Sequence, residues 1–350
     1  MVIHMKHWRK QTLVVVIITS LLLCFTLQTK TTINIAADEP LRIVASISIV
    51  ADIASQIGKG IFTVESIVKG NEDPHTYEQS PADIQLVAEA DLFIRFGSIV
   101  EGLEPWVQSV LDVTGVNVLE LVNETMVRTD PLLGEDNPHV WMDPSNIKTM
   151  ADSVFNGVAL LDPTNIVNYT ANLNSYKAEL DDLLLRISNA ENIFNGTKVV
   201  VHHPSFMYLL DLLGIERVGV IEKQEGIEPS PQDIQDLMEA IATNNVSFII
   251  NQPQLDDKDV NEIARETGIQ ITELTPLLGV NNLEDYISMI DYDLLSLANP
   301  FDPPEKLFDV TTWILTGIGG AMIFSLLIIV VVVRRKHAKD KLIEVGFCET

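Results

Sequence analysis

Residues 162–195 read DPTNIVNYTANLNSYKAELDDLLLRISNAENIFN, and this stretch decides the fold. Asp162 followed by Pro163 is a helix start: the carboxylate accepts from free N–H groups, and proline at the first turn has no N–H to lose. Apolar or aromatic residues then recur at Ile166, Tyr169, Leu173, Tyr176, Leu180, Leu183 and Ile187, at spacings of 3 and 4. That period puts them on one face of a single helix. Asn195–Gly196 is a stop signal. At ~1.5 Å per residue, ~32 residues extend about 48 Å, so the helix over 163–195 crosses two folded units rather than one.

Both flanks carry the same alternation. Short apolar runs at 42–46, 64–68, 92–96 and 116–121 read as strands before the helix, and 198–201, 217–221, 247–250 and 270–274 read as strands after it. Amphipathic stretches at 81–90, 231–242 and 258–267 lie between them. Strands alternating with helices give α/β units with parallel or mainly parallel sheets and flanking helices. The expected fold is two such lobes, 38–162 and 196–298, each with its own core, joined by one long backbone helix. A helical connector bends less readily than loose strands, so lobe closure is expected to be limited.

The ends differ in kind. Lys6, Arg9 and Lys10 precede an apolar run over 13–27, and Ala36–Ala37 is a small-residue cleavage site, so 1–37 reads as a signal peptide or an N-terminal signal anchor. Cys24 lies inside that run, but small residues do not precede it as lipidation requires. Residues 313–333 are 21 uncharged positions followed by Arg334, Arg335 and Lys336. Such a helix spans about 31 Å, the thickness of a hydrocarbon core of ~30 Å. The basic tail 334–350 marks the cytoplasmic side. The expectation is therefore a C-terminal transmembrane helix in the cell membrane, a proline-containing spacer over 299–312, and an extracellular ectodomain.

Charge narrows the partners. The chain has 23 basic and 49 acidic residues, and the stretch 38–333 holds 14 basic against 46 acidic, a formal charge of −32. Such a surface argues against nucleic acid or anionic lipid as partner. The two cysteines, Cys24 and Cys348, lie in the terminal segments, so the ectodomain has neither a disulfide nor a thiolate metal site. Acceptor triplets for glycosylation begin at Asn123, Asn168, Asn195 and Asn245.

Histidine is scarce and grouped. The ectodomain's histidines are His75 in NEDPHTYEQSPADI, His139 in DNPHVWMDPSN, and His202–His203 in VVVHHPSFMYLL. Imidazole is the commonest protein ligand for zinc and related metals. The 64-residue spacings exclude a finger or a one-helix site, so ligands converge from separate loops. Open α/β sheets bind ligands beyond the carboxyl ends of their strands, and these histidines follow strands. Pro74 and Pro138 stiffen the loops just before two of them. His202 and His203 point to opposite faces of a strand, so His203 is taken as the ligand and His202 as packing or support. Glu72, Asp73, Glu78 and Asp143 are candidates to orient imidazoles through their second nitrogens, with capping the alternative for Asp73 and Asp143.

At these residues the chain resembles the substrate-binding proteins of zinc and manganese ABC importers, from about Leu41 to Leu297. HTYEQSPADIQLVAEADLFIRFG, GLEPW, NPHVWMDPSN, HHPSFMYLLDLLGI and EGIEPSPQDI follow one another in the family's order. The resemblance implies two α/β lobes joined by a long helix, with a metal between them held by His75, His139 and His203. It also implies an ABC permease and its cytoplasmic ATPase as partners, Zn2+ as transported ligand with Mn2+ the alternative, and no enzymatic activity. Many members carry an aspartate ligand in a segment resembling LDPLG. Here ELTPLLG places Thr275 there, which leaves the fourth position to water, to Thr275 itself, or to a carboxylate such as Glu72 or Glu273. A mainly nitrogen site favours zinc. Two other classes stay open: a zinc hydrolase, although no HExxH occurs, and a binding protein for an organic or chelated ligand.

Overall fold

The computed structural model describes residues 40–304 apart from Asn71, Gln224, Glu225 and the side chain of Glu101. The apolar runs at 13–27 and 313–333, the tail and most of the spacer lie outside the described residues. No helix among the described residues is long and apolar enough to cross a membrane.

The first sheet is built from β1 (Arg42–Ile47), β2 (Thr63–Val68), β3 (Leu92–Arg95) and β4 (Val118–Glu120), in the order β2-β1-β3-β4. Every pairing in it is parallel. The crossovers carry α1 (Ser48–Gly58), α2 (Pro81–Ala88) and α3 (Val107–Thr114). The second sheet contains β7 (Lys198–Val201), β8 (Glu216–Val220), β9 (Phe248–Asn251) and β10 (Gln270–Glu273), in the order β10-β9-β7-β8 and again parallel. Its crossovers carry α6 (Met207–Leu212), α7 (Pro231–Asn244) and α8 (Lys258–Thr267). The same device starts α2 and α7. Ser80 and Ser230 cap, Pro81 and Pro231 follow, and the Asp83 and Asp233 carboxylates accept the backbone N–H of the cap residue.

Between the sheets, β5 (Arg128–Thr129) and β6 (Asp136–Asn137) form an antiparallel hairpin that the sequence reading lacks. Two-residue strands are too short to show a period. α4 (Pro144–Leu161) then leads to α5 (Ile166–Phe194), the long helix, with 29 residues and so about 44 Å of rise. Its buried face is Tyr169, Leu173, Tyr176, Leu180, Leu183, Ile187 and Phe194. Two details correct the reading. Pro163–Asn165 is a tight 3-10 turn rather than the first turn of the α-helix, and Ile166 is exposed. Asp162 holds that turn through its side chain, accepting from Thr164, Asn165 and Tyr169.

The cores do not divide lobe by lobe. One continuous apolar cluster covers the first sheet, α5 and the inner face of the second sheet, and a smaller one covers the outer face of the second sheet. The period of the strands explains this. Val199 and Val201 of β7 and Phe248 and Ile250 of β9 point into the large core, whereas Val200 and Ile249 point into the small one. The last helix among the described residues, α9 (Tyr286–Leu297), crosses back to the first lobe. There Asp52 of α1 accepts the Tyr286 N–H at 3.0 Å.

Candidate metal centre

His75 lies in the loop after β2, His139 directly after β6, and His203 directly after β7. The rings meet between the two sheets, with centroids 5.3, 5.7 and 5.1 Å apart for the pairs 75–139, 75–203 and 139–203. One ligand atom from each lies within 4.8 Å of the other two, the only group of three or more His, Cys, Asp or Glu with this property among the described residues. His139 and His203 are buried and His75 is half-buried. Burial pushes the His203 pKa down to about 4. Burial, with the nearby His203 and His75 rings, holds His139 well below the usual histidine range. Neutral imidazole is the form that ligates metal.

The outer nitrogens fix the tautomers of two rings. His75 Nδ1 is 2.9 Å from the Gly102 carbonyl oxygen, and a carbonyl only accepts, so Nδ1 carries the proton. Asn137 Nδ2 donates to the Pro204 carbonyl at 2.9 Å and to Asp130 at 3.3 Å, which orients its amide. Asn137 Oδ1 therefore faces His139, accepting its backbone N–H and its Nδ1–H, each at 3.0 Å. Both Nε2 atoms then present lone pairs to each other at 3.3 Å. Two acceptors at that distance repel unless a cation lies beside both. Tetrahedral zinc with Zn–N bonds of ~2.05 Å places its nitrogens about 3.3 Å apart.

The second lobe holds His139 through buried polar groups. Asp130 takes a two-point hydrogen bond from Arg217 of β8, at 2.8 and 3.1 Å, with both side chains buried. Burial alone would raise the Asp130 pKa, but hydrogen bonds from Arg217 and Leu132 take it below the usual carboxylate range. Tyr208 donates to the Asn137 carbonyl at 2.9 Å. The Trp141 indole N–H reaches the Pro276 carbonyl at 2.7 Å, and its ring lies 5.2 Å from that of His139.

Other expectations need correction. The carboxylates do not orient His75 or His139; a carbonyl and an amide do. Glu72 accepts from the Lys69 backbone N–H, Asp73 holds the loop through the His75 N–H and the Thr76 hydroxyl, and Asp143 caps α4. Glu78 is exposed. Neither Glu72 nor Glu273 belongs to the cluster of mutually close ligand atoms. Thr275 is buried with its hydroxyl committed to a turn, donating to the Leu277 carbonyl at 2.9 Å and accepting from Leu277 N–H and from Gln254. His202 turns away from the cluster, bonding Asn251 at 2.9 Å and lying 3.9 Å from Glu222. Asn137 and Gly102 were missed. Asn137 had a signal, since an Asx residue two positions before a ligand reaches that ligand's backbone N–H. A backbone carbonyl such as that of Gly102 has none.

A family model described as zinc-uptake complex component A, periplasmic, matches residues 43–299. The iron-binding protein YfeA of Yersinia pestis is 27% identical over 270 residues, covering 74% of this chain and 86% of that protein. The manganese ABC transporter substrate-binding lipoprotein PsaA of Streptococcus pneumoniae is 26% identical over 280 residues, covering 74% and 89%. A crystal structure of ZnuA superposes with a TM-score of 0.67 at 27% identity, covering 75% of this chain and 99% of that one.

Proposed function

The chain belongs to the zinc-uptake complex component A family, and from that premise we propose that it captures Zn2+ between its lobes and delivers it to an ABC permease. Members are metal-binding receptors of ABC importers, not enzymes. The ligands in this reading are His75, His139 and His203. The observation that carries it is the convergence of their ligand atoms to within 4.8 Å from loops that follow strands of three different sheets. Zinc is favoured by an all-nitrogen cluster, because manganese prefers carboxylate and carbonyl oxygen.

The lobes of this receptor are 38–162 and 196–298, with 163–195 as the backbone between them. In this reading the uncharged apolar run 313–333 tethers it to the membrane outside the cell, and 299–312 is the spacer. Tethering confines the search for the permease to the membrane plane and raises its effective concentration. The permease and its cytoplasmic ATPase complete the importer.

A manganese receptor is the second reading, favoured by the pneumococcal relative, a manganese transporter's substrate-binding lipoprotein. Elemental analysis of the purified protein, followed by calorimetric competition, separates the two. The zinc reading expects one zinc per chain, retained against an equal concentration of manganese. Displacement of zinc by manganese under those conditions overturns it.

A further inference from the structure

Four side chains lining the three-histidine cavity carry oxygen: Asp73, Ser205, Gln252 and Gln254. Three are committed elsewhere. Asp73 uses one oxygen on the His75 N–H and the other on the Thr76 hydroxyl, each at 3.0 Å. Ser205 donates to Gln252 Oε1 at 2.8 Å, so each already has a hydrogen-bond partner. Gln254 differs. Its Nε2 donates to the Gly70 carbonyl at 2.8 Å and to Thr275 Oγ1 at 3.1 Å. Those two bonds use both amide hydrogens and fix which end of the amide is oxygen. Oε1 is buried and accepts no hydrogen bond. A buried polar atom left unpaired in a folded protein calls for an explanation, and a cation is one.

We propose that Gln254 Oε1 is the fourth metal ligand, completing a set of three imidazole nitrogens and one amide oxygen; this rests on the three-histidine reading. The set is tetrahedral in type and suits zinc. It also gives Thr275 a purpose. Thr275 cannot serve as a carboxylate ligand, but its hydroxyl holds the glutamine that supplies the oxygen. Because Nε2 is hooked to Gly70 of the first lobe, the oxygen is fixed only while the lobes are together. No ligand in the set carries a formal charge, which separates this site from one closed by a carboxylate and lowers its preference for manganese.

Cobalt loading tests it, because the visible spectrum of Co2+ reports an open coordination position. In the parent protein, azide leaves the Co2+ spectrum unchanged. In Gln254→Ala, azide shifts it, and zinc affinity falls at least about tenfold. Gln254→Glu keeps the position closed and raises manganese affinity relative to zinc at least about tenfold. An azide response in the parent, or a Gln254→Ala protein that matches the parent in both readouts, overturns the proposal. Should the alanine variant not fold, an unchanged manganese-to-zinc ratio in Gln254→Glu overturns it alone. Failure of the parent to take up Co2+ or Zn2+, or binding unaffected by His139→Ala, would instead defeat the three-histidine reading.

Discussion

The two sides of the cleft hold their imidazoles differently. His139 is buried and tied to the opposite lobe through Asn137, Asp130 and Arg217, with Tyr208 and Trp141 adding bonds across the same interface. His75 is half-buried and held within its own lobe, by the Gly102 carbonyl and the Asp73 turn. The first ring is fixed by bonds that cross between the lobes, and the second by the Gly102 carbonyl and the Asp73 turn of its own lobe.

Five substitutions probe that asymmetry. The largest effect is expected from His139→Ala. Apparent binding energies of about 10–16 kcal/mol shared over four zinc ligands imply a loss of affinity on the order of a hundredfold or more, read by calorimetry. Asp130→Ala removes one partner of a buried ion pair and leaves Arg217 uncompensated. A destabilisation of about 3–5 kcal/mol in urea unfolding is expected, and a value near zero would mean that the lobes are not clamped there. Asn137→Ala should weaken zinc about 10–100-fold, and about 1–3 kcal/mol of apo stability should go with it, because the buried bonds to Pro204, Asp130 and the His139 N–H are lost together with the ring's support.

The loop side should respond less. Burial pushes Glu104, which accepts from the Phe96 N–H just past the end of β3, up to about 7 from an ordinary 4.5, against the pull of Arg95. Between those values the folded chain keeps this proton and the unfolded chain releases it. Its effect on stability is thus most favourable below pH 4.5 and declines as pH rises toward 7. Glu104→Gln should flatten that decline in thermal melts across the range. Smallest of all is Gly102→Ala. A Cβ there meets nothing within 4 Å, so zinc affinity should not change, because the residue contributes only its carbonyl. A large loss would show that loop geometry, not the carbonyl alone, sets His75.

The same contrast explains what the sequence discloses. The strands of both sheets are legible because buried parallel strands are continuous apolar runs, as in β3 and β9. The long helix is legible because seven apolar positions keep one period, and the histidines because they are few. The bonds that hold the rings are not. Arg217 and Asp130 are 87 residues apart with no pattern linking them, and Trp141 bonds a carbonyl 135 residues away. The division of the second sheet between two cores was also hidden, because an apolar run such as KVVV does not say what lies over each face.

The account stands on one metal shared by three imidazoles from two lobes. X-ray absorption at the zinc edge of the loaded protein tests this most directly. The expected spectrum shows four light ligands at ~2.0–2.1 Å, with outer-shell scattering from three imidazole rings. A spectrum with one ring or none, or with oxygen ligands alone, would contradict it.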